Sequence, residues 1–227
     1  MKPLQPSESL PVGLLLAFTG GLLDAYSYLN RGEVFSTAET GNIVLLGINL
    51  AQCNWGGALH YLLPVLAFTV GILAAEWVRR RCGDETPHPP RVHWRLPLLL
   101  AECGAIVLVS FLPLGDLDPL ANIIISFTSA LQVESFRTFQ GCGCVTTMCT
   151  GNLRSGTENL FHWLFRREPK APPKMKVYYG LILCFILGAV VSGLLSPLLA
   201  QRTVLLACIP LLAVFALLRR GGAEAAA

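Results

Sequence analysis

Residues Thr37-Ala-Glu-Thr-Gly-Asn-Ile-Val-Leu-Leu-Gly-Ile-Asn-Leu-Ala51 carry a polar tripeptide, Thr40-Gly41-Asn42, followed by a short apolar run, Ile43–Ala51. A helix needs roughly 20 apolar residues to cross a hydrocarbon core about 30 Å thick, so this run is too short for an ordinary span. The tripeptide returns as Thr150-Gly151-Asn152 inside a second ambiguous stretch, Thr146–Phe165, which is rich in polar residues. Whether these two stretches cross a membrane decides the fold.

The rest of the chain makes a membrane the obvious solvent. Of 227 residues, 53% are hydrophobic and only 14% charged, and the mean hydropathy is +0.57. Soluble domains carry about 25% charged residues, so a soluble globule, a disordered chain and a nucleic-acid binder all fit badly. Long apolar runs occupy Pro11–Asn30, Ala58–Val78, Leu96–Pro113, Leu120–Phe139, Val177–Ala200 and Thr203–Leu218. Lys2 and the first run resemble a signal peptide, but Asp24 interrupts the run and no A-x-A site follows, which predicts a retained helix.

The basic residues choose between topologies. If all eight stretches cross, eight basic residues fall on each side. If the two TGN stretches enter and leave on the same side, fourteen lie inside and only Arg31 and Arg202 outside. Cytoplasmic loops collect Lys and Arg, so the second arrangement is selected. It predicts six transmembrane helices, two re-entrant stretches and a multi-pass protein of the plasma (inner) membrane with both termini cytoplasmic.

A weak internal repeat leads to the same place. Thr37 matches Thr147, the TGN tripeptides match, and Asn49-Leu50 matches Asn159-Leu160, all at an offset of 110. With one residue of gap, Phe18-Thr19 and Leu22 match Phe127-Thr128 and Leu131, while Ala17 and Gly21 correspond to Ser126 and Ala130. Each half contributes three crossings, so the second half is expected upside down, a recurring plan among transporters. The predicted fold is therefore an all-α polytopic membrane protein, one domain over 1–227. Its two inverted three-helix repeats run over 11–113 and 118–220, each with an interrupted TGN half-helix, and a disordered tail covers 221–227.

A half-helix that begins inside the membrane exposes its first backbone N–H groups, and these need partners in protein or in a water-filled cavity. Thr and Asn can cap such groups, Gly allows close approach, and the dipole end suits an anion. The candidate substrate-binding residues are thus Thr40, Gly41, Asn42, Thr150, Gly151, Asn152 and Arg154. Arg154 offers either a fixed positive charge or a partner for Glu158. Acids within spans are costly and face a protein interior or a cavity, which makes Asp24, Glu134 and Glu102 candidates for proton or ion coupling. Glu76 sits a turn from Arg79 and Arg80 and is expected to pair with them. Glu39, just before the first tripeptide, has Cys149 as its repeat equivalent and breaks the symmetry.

Other features read as structure. Gly13, Ala17, Gly21 and Ala25 form a four-residue stripe, as do Gly188 with Ser192 and Ala189 with Gly193, and such stripes let membrane helices pack closely. The eight cysteines include no CxxC, and Cys142, Cys144 and Cys149 match no common metal spacing. No catalytic motif, cofactor motif or metal-ligand pattern is present, so neither an enzyme nor a cofactor is expected.

Gly20-Gly-Leu-Leu-Asp-Ala-Tyr-Ser-Tyr28, then Glu33-Val-Phe, then Thr40-Gly-Asn-Ile-Val-Leu-Leu-Gly47, and the later Thr146-Thr-Met-Cys-Thr-Gly-Asn152 together resemble the bacterial YoaK family. That resemblance covers almost the whole chain and implies an integral plasma-membrane protein with six spans, without a substrate. Where the family often carries an Asn- or Gln-rich segment, this chain has Gln132-Val-Glu-Ser135.

Two functional readings follow. The first is a small-solute secondary transporter or permease with a midplane site between the two TGN ends, its solute unknown and an anion suited to the dipoles. The second is a non-transporting membrane scaffold or partner subunit. An intramembrane enzyme acting on lipid would need a nucleophile–base pair or metal ligands. The expected partners are the lipid bilayer and that solute, with room for a homo-oligomer and none for nucleic acid.

Overall fold

A computed structural model of the protein describes residues 5–82 and 94–224. Lys2 and Arg91, counted among the basic residues above, lie outside the described residues, as do 225–227 of the expected tail. The described chain is all-α apart from one small hairpin: α1 (Leu10–Asn30), α2 (Glu39–Ala51), α3 (Trp55–Cys82), α4 (Arg95–Phe111), α5 (Asp118–Ser135), β1 (Thr138–Phe139), β2 (Cys142–Gly143), α6 (Cys149–Arg166), α7 (Ala171–Leu199) and α8 (Cys208–Glu224). A 3-10 segment, Ala200–Ala207, joins α7 to α8.

Proline punctuates the starts. Pro11, Pro119 and Pro172 occupy the first turns of α1, α5 and α7, where no intrahelical N–H bond is lost. The sequence Glu168-Pro-Lys-Ala-Pro-Pro173 reads as a loop, yet α7 begins at Ala171 for this reason. Two other ends differ from expectation. Helix α5 stops at Ser135 rather than Phe139, and the chain turns through Gln140 and Gly141, both at positive φ (51° and 71°). At the other end α8 runs on to Glu224, so the disorder expected from Gly221 onward does not begin there. Ala and Glu, strong helix formers, follow the two glycines.

Among the described residues, three helical stretches are long and apolar enough to cross a membrane: Leu10–Asn30, Trp55–Cys82 and Ala171–Arg220. Helix α3 turns Leu59, Leu66, Val70 and Leu73 outward between exposed Trp55 and Trp77. Those tryptophans are separated by about 33 Å along the helix at 1.5 Å per residue. That separation suits aromatic anchors at two membrane interfaces. Helix α2, with 13 residues, is about 20 Å long. Helix α6, with 18, reaches about 27 Å.

The helix pairings come in matched couples. Helix α1 packs on α7 and α5 on α3; α2 packs on α3 and α6 on α7; α4 packs on α5 and α8 on α1. Glycines make close approaches between these helices, at Gly188 as the small-residue stripe predicts and at Gly71, which no stripe marked. A Cβ on Gly188 would meet the Phe18 carbonyl oxygen and stand 2.9 Å from the Leu22 nitrogen. A Cβ on Gly71 would stand 2.5 Å from the Phe127 carbonyl oxygen. Phe18 and Phe127 are the pair aligned by the sequence repeat.

Candidate functional site

Asp24 lies on α1, six residues before its end, and is 5% exposed. After Asn30 the chain reverses, and by Thr37 it has returned alongside α1. There the Thr37 N–H donates to Asp24 Oδ1 at 2.7 Å. The Ser27 hydroxyl accepts from the Ser36 N–H at 3.2 Å, fixing the same return. Asp24 thus takes up backbone donors just ahead of α2, and Glu39 opens that helix.

The tripeptides do not cap their helices. The N-cap positions are Ala38 and Met148, and neither α2 nor α6 has a side-chain cap. Instead the asparagines reach back. Asn42 Nδ2 donates to the Phe35 carbonyl at 2.6 Å and Asn152 Nδ2 to the Val145 carbonyl at 2.7 Å. Asn42 also donates to Glu39 Oε2 at 2.7 Å and accepts from the Phe35 N–H at 3.1 Å. The second asparagine of each stretch is matched too: Asn49 and Asn159 donate at 2.8 Å to the carbonyls of Leu45 and Ser155. Thr40, Thr150 and Gly151 are exposed, whereas Gly41 is half-buried against the Phe35 ring.

The two return loops meet at the middle of α1. Thr37 Oγ1 lies 3.5 Å from the Gly20 carbonyl. From the other repeat, Thr147 Cγ2 would stand 2.7 Å from a Cβ on Gly20. Gly20 is ten residues from either end of α1. Buried hydroxyls also belong to Ser126 and Ser129 of α5 and to Thr146 and Thr147 before α6. Among the described residues, Ser129 Oγ, Thr146 Oγ1 and Thr147 Oγ1 find no hydrogen-bond partner. The Glu39 carboxyl lies near Ser126 and Asp24.

The remaining candidates stand apart from this point. Glu134, 8% exposed, pairs with Arg137. Arg137 lies 3.7 Å from Glu76, which also binds Arg79 at 2.8 Å and Arg80 at 3.1 Å. Glu134 therefore belongs to an ion network where the ends of α3 and α5 meet. Glu102 is 1% exposed on α4, with Cys208 of α8 nearby and its Oε1 without a hydrogen-bond partner. Arg154 is exposed on α6. Glu158, its possible partner by spacing, lies 4.0 Å from His162. Cys142 and Cys144 are buried around the hairpin. Burial pushes the Cys144 thiol up to about 11, which makes it a poor ligand or nucleophile at neutral pH.

Sequence reasoning missed one residue altogether. Arg31, read as a loop charge, is fully buried. Its Nε donates to Tyr26 Oη at 2.9 Å. Its Nη1 donates to Asp118 Oδ1 and the Pro113 carbonyl, both at 2.9 Å. Its Nη2 donates to the carbonyls of Leu112 at 2.8 Å and Val109 at 3.2 Å. All five N–H donors are used, and the cation sits against the carbonyl end of α4, where a positive charge is favoured. The Arg31 carbonyl in turn accepts from Asn122 Nδ2 at 2.8 Å.

A helical chain with apolar spans, a helix opening on TGN in each half and buried acids defines the class as an all-α membrane protein. Residues 12–217 match the model of DUF1275, described as a protein of unknown function, and the chain belongs to that family. It is similar to UPF0700 transmembrane protein YoaK of Bacillus subtilis (strain 168), with 26% identity over 185 residues that cover 81% of this chain and 82% of the relative. No solved structure matches it significantly.

Proposed function

We propose that the chain is a small-solute secondary transporter or permease of the plasma membrane, with its site at the midplane where the α2 and α6 N-termini meet α1. In this reading six helices cross, α2 and α6 are the re-entrant pair, both termini are cytoplasmic and the two repeats are inverted. The matched helix pairs, and the matched seats of Phe18 on Gly188 and Phe127 on Gly71, support a pseudo-twofold relation. Thr40, Thr150 and Gly151 form the open rims of the two half-helices, with Gly41 packed under Phe35 at the first rim and Arg154 beside the second. Asn42 and Asn152 hold the loops that present them. Asp24 is the coupling acid, and Glu102 and Glu134 are secondary candidates. With Asp24 and Glu39 at the positive end of α2, a cation or neutral solute suits this point better than an anion.

The observation that carries the reading is the convergence of Thr37 and Thr147 on Gly20, beside the buried Asp24 carboxylate. Irregular backbone at that depth is tolerated only inside protein or against water, and the transporter reading takes these loops as lining a water path. The test is a water-accessibility scan. Cysteines are placed at Thr37, Thr40, Thr147 and Thr150 in a background lacking native cysteines and are treated with a small charged methanethiosulfonate reagent in sealed vesicles of both orientations. Reaction at Thr37 or Thr147 from at least one side is expected. Inert cysteines at both positions from both sides would establish the scaffold reading instead.

A further inference from the structure

Eight free thiols are spread over this chain, and two of them meet across 105 residues of sequence. Cys103 stands in the middle of α4 and Cys208 opens α8. Cys208 Sγ lies 3.9 Å from the Cys103 carbonyl oxygen, and the two thiols hydrogen-bond to each other. Side chains already in contact can close by rotation to a sulfur–sulfur bond of about 2 Å. Cysteines also pack as small hydrophobes, so the surroundings decide what this pair can do.

Both cysteines are half-buried. On α4, Leu100 and Val107 stand one turn before and one turn after Cys103, and both are exposed. On α8, Ile209 follows Cys208 directly and Leu212 comes one turn later, and both are exposed too. The pair therefore lies at the edge of the seam between α4 and α8 and opens onto an apolar rim. On a membrane protein such a rim faces lipid tails. A charged reagent in water is kept away from it, while a lipid-soluble one can approach. Cys142 and Cys144 are the contrasting case, since both are buried around the hairpin and Cys144 Sγ donates to the Cys142 carbonyl at 3.3 Å.

We infer that Cys103 and Cys208 are a redox-active dithiol, oxidised to an intramolecular disulfide by a lipid-soluble quinone. Both S–H bonds break and one S–S bond forms. The quinone takes the two electrons and both protons and leaves as the quinol. Helices α4 and α8 are the last of the first and second halves of the chain, so the bond staples one half to the other. The inference goes beyond the transport reading and is independent of it, because no solute enters the reaction.

The experiment uses the full chain in lipid nanodiscs under nitrogen. The oxidant is a fully substituted short-chain ubiquinone, which accepts electrons without adding to thiols. Remaining thiols are then alkylated in denaturant and the chain is mapped by mass spectrometry. The expected result is a bond between Cys103 and Cys208, with the other cysteines alkylated and quinol formed in step with the bond. Quinol formation should slow by about tenfold or more in Cys208→Ala, and tetrathionate, a charged oxidant confined to water, should form the bond about tenfold or more slowly than the quinone, because access sets the rate. Recovery of Cys103 and Cys208 as alkylated thiols after quinone treatment would overturn the inference. So would quinol formation that continues unaltered in Cys208→Ala, or a bond formed as fast by tetrathionate. The mapping of the natural chain decides the matter if Cys208→Ala does not fold.

Discussion

Asn42 and Asn152, 110 residues apart, make the same bond: each donates its side-chain amide to the carbonyl seven residues upstream, at 2.6 and 2.7 Å. Each bond ties the return loop of its repeat to the first turn of the short helix that follows. Because Asn42 makes three bonds at this place, Asn42→Ala is expected to cost more than Asn152→Ala. Burying unpaired backbone groups costs about 1–3 kcal/mol each. The midpoint of thermal unfolding in detergent checks the order; a larger drop for Asn152→Ala would count against it.

Arg31 joins the ends of α1, α4 and α5 with every donor it has. Arg31→Met should destabilise the chain by about 3–5 kcal/mol, because Asp118 is left without its cation and the α4 carbonyls without their donors. Arg31→Lys should recover little of this, since a point charge cannot serve five fixed directions. Full recovery by lysine in a thermal unfolding assay would show that charge alone matters here.

Gly71 and Gly188 seat the backbone of the helix they cross. Gly71→Ala and Gly188→Ala should each destabilise by about 1–3 kcal/mol or more, as overpacking does, and by similar amounts if the two seats are equivalent. At Gly47, in the middle of α2, nothing lies within 4 Å of an added Cβ. Gly47→Ala should therefore stabilise by up to about 1 kcal/mol through helix propensity. Tolerance of alanine at Gly188 would remove the close α1–α7 approach from the account.

If Asp24 couples protons or another cation to solute movement, Asp24→Asn should leave the fold intact while making uptake independent of the driving ion. Its Thr37 N–H bond survives in the amide through the carbonyl oxygen. The measurement is ion-gradient dependence of solute uptake in proteoliposomes, on a solute found by a thermal-shift screen of the purified chain. An unchanged dependence on the gradient would assign coupling elsewhere, with Glu102 next in line.

Much of this architecture is legible in the residues. Hydropathy locates the long helices, and the offset of 110 locates the starts of α2 and α6, which fall at Glu39 and Cys149. The stripes around Gly21 and Gly188 mark a real interface because close backbone approach demands small residues wherever it occurs. Arg31 escapes the same reading because all its side-chain partners but Tyr26 lie 78 to 87 residues away in α4, its following turn and α5, and a basic residue after an apolar run looks like a loop charge. The hairpin at 138–143 escapes because Phe139 extends an apolar run while serving as a plug on Gly13. Glu39 reads only as a break in symmetry, since its place beside Asp24 depends on a chain reversal that no local pattern announces. The Glu134–Arg137 pair is three residues apart and open to reading by spacing, whereas the approach of Glu76 to Arg137 exists only in the folded chain.

The central claim is that α2 dips into the membrane and returns, and two native cysteines report on it. Cys53, after α2, and Cys82, at the end of α3, are both exposed. Variants retaining only one or the other are treated in intact cells with a membrane-impermeant maleimide. With six crossings and cytoplasmic termini, Cys53 is labelled from outside and Cys82 only after permeabilisation. If α2 crossed instead, the pattern would invert, with Cys82 labelled from outside and Cys53 protected, and the re-entrant architecture would be contradicted.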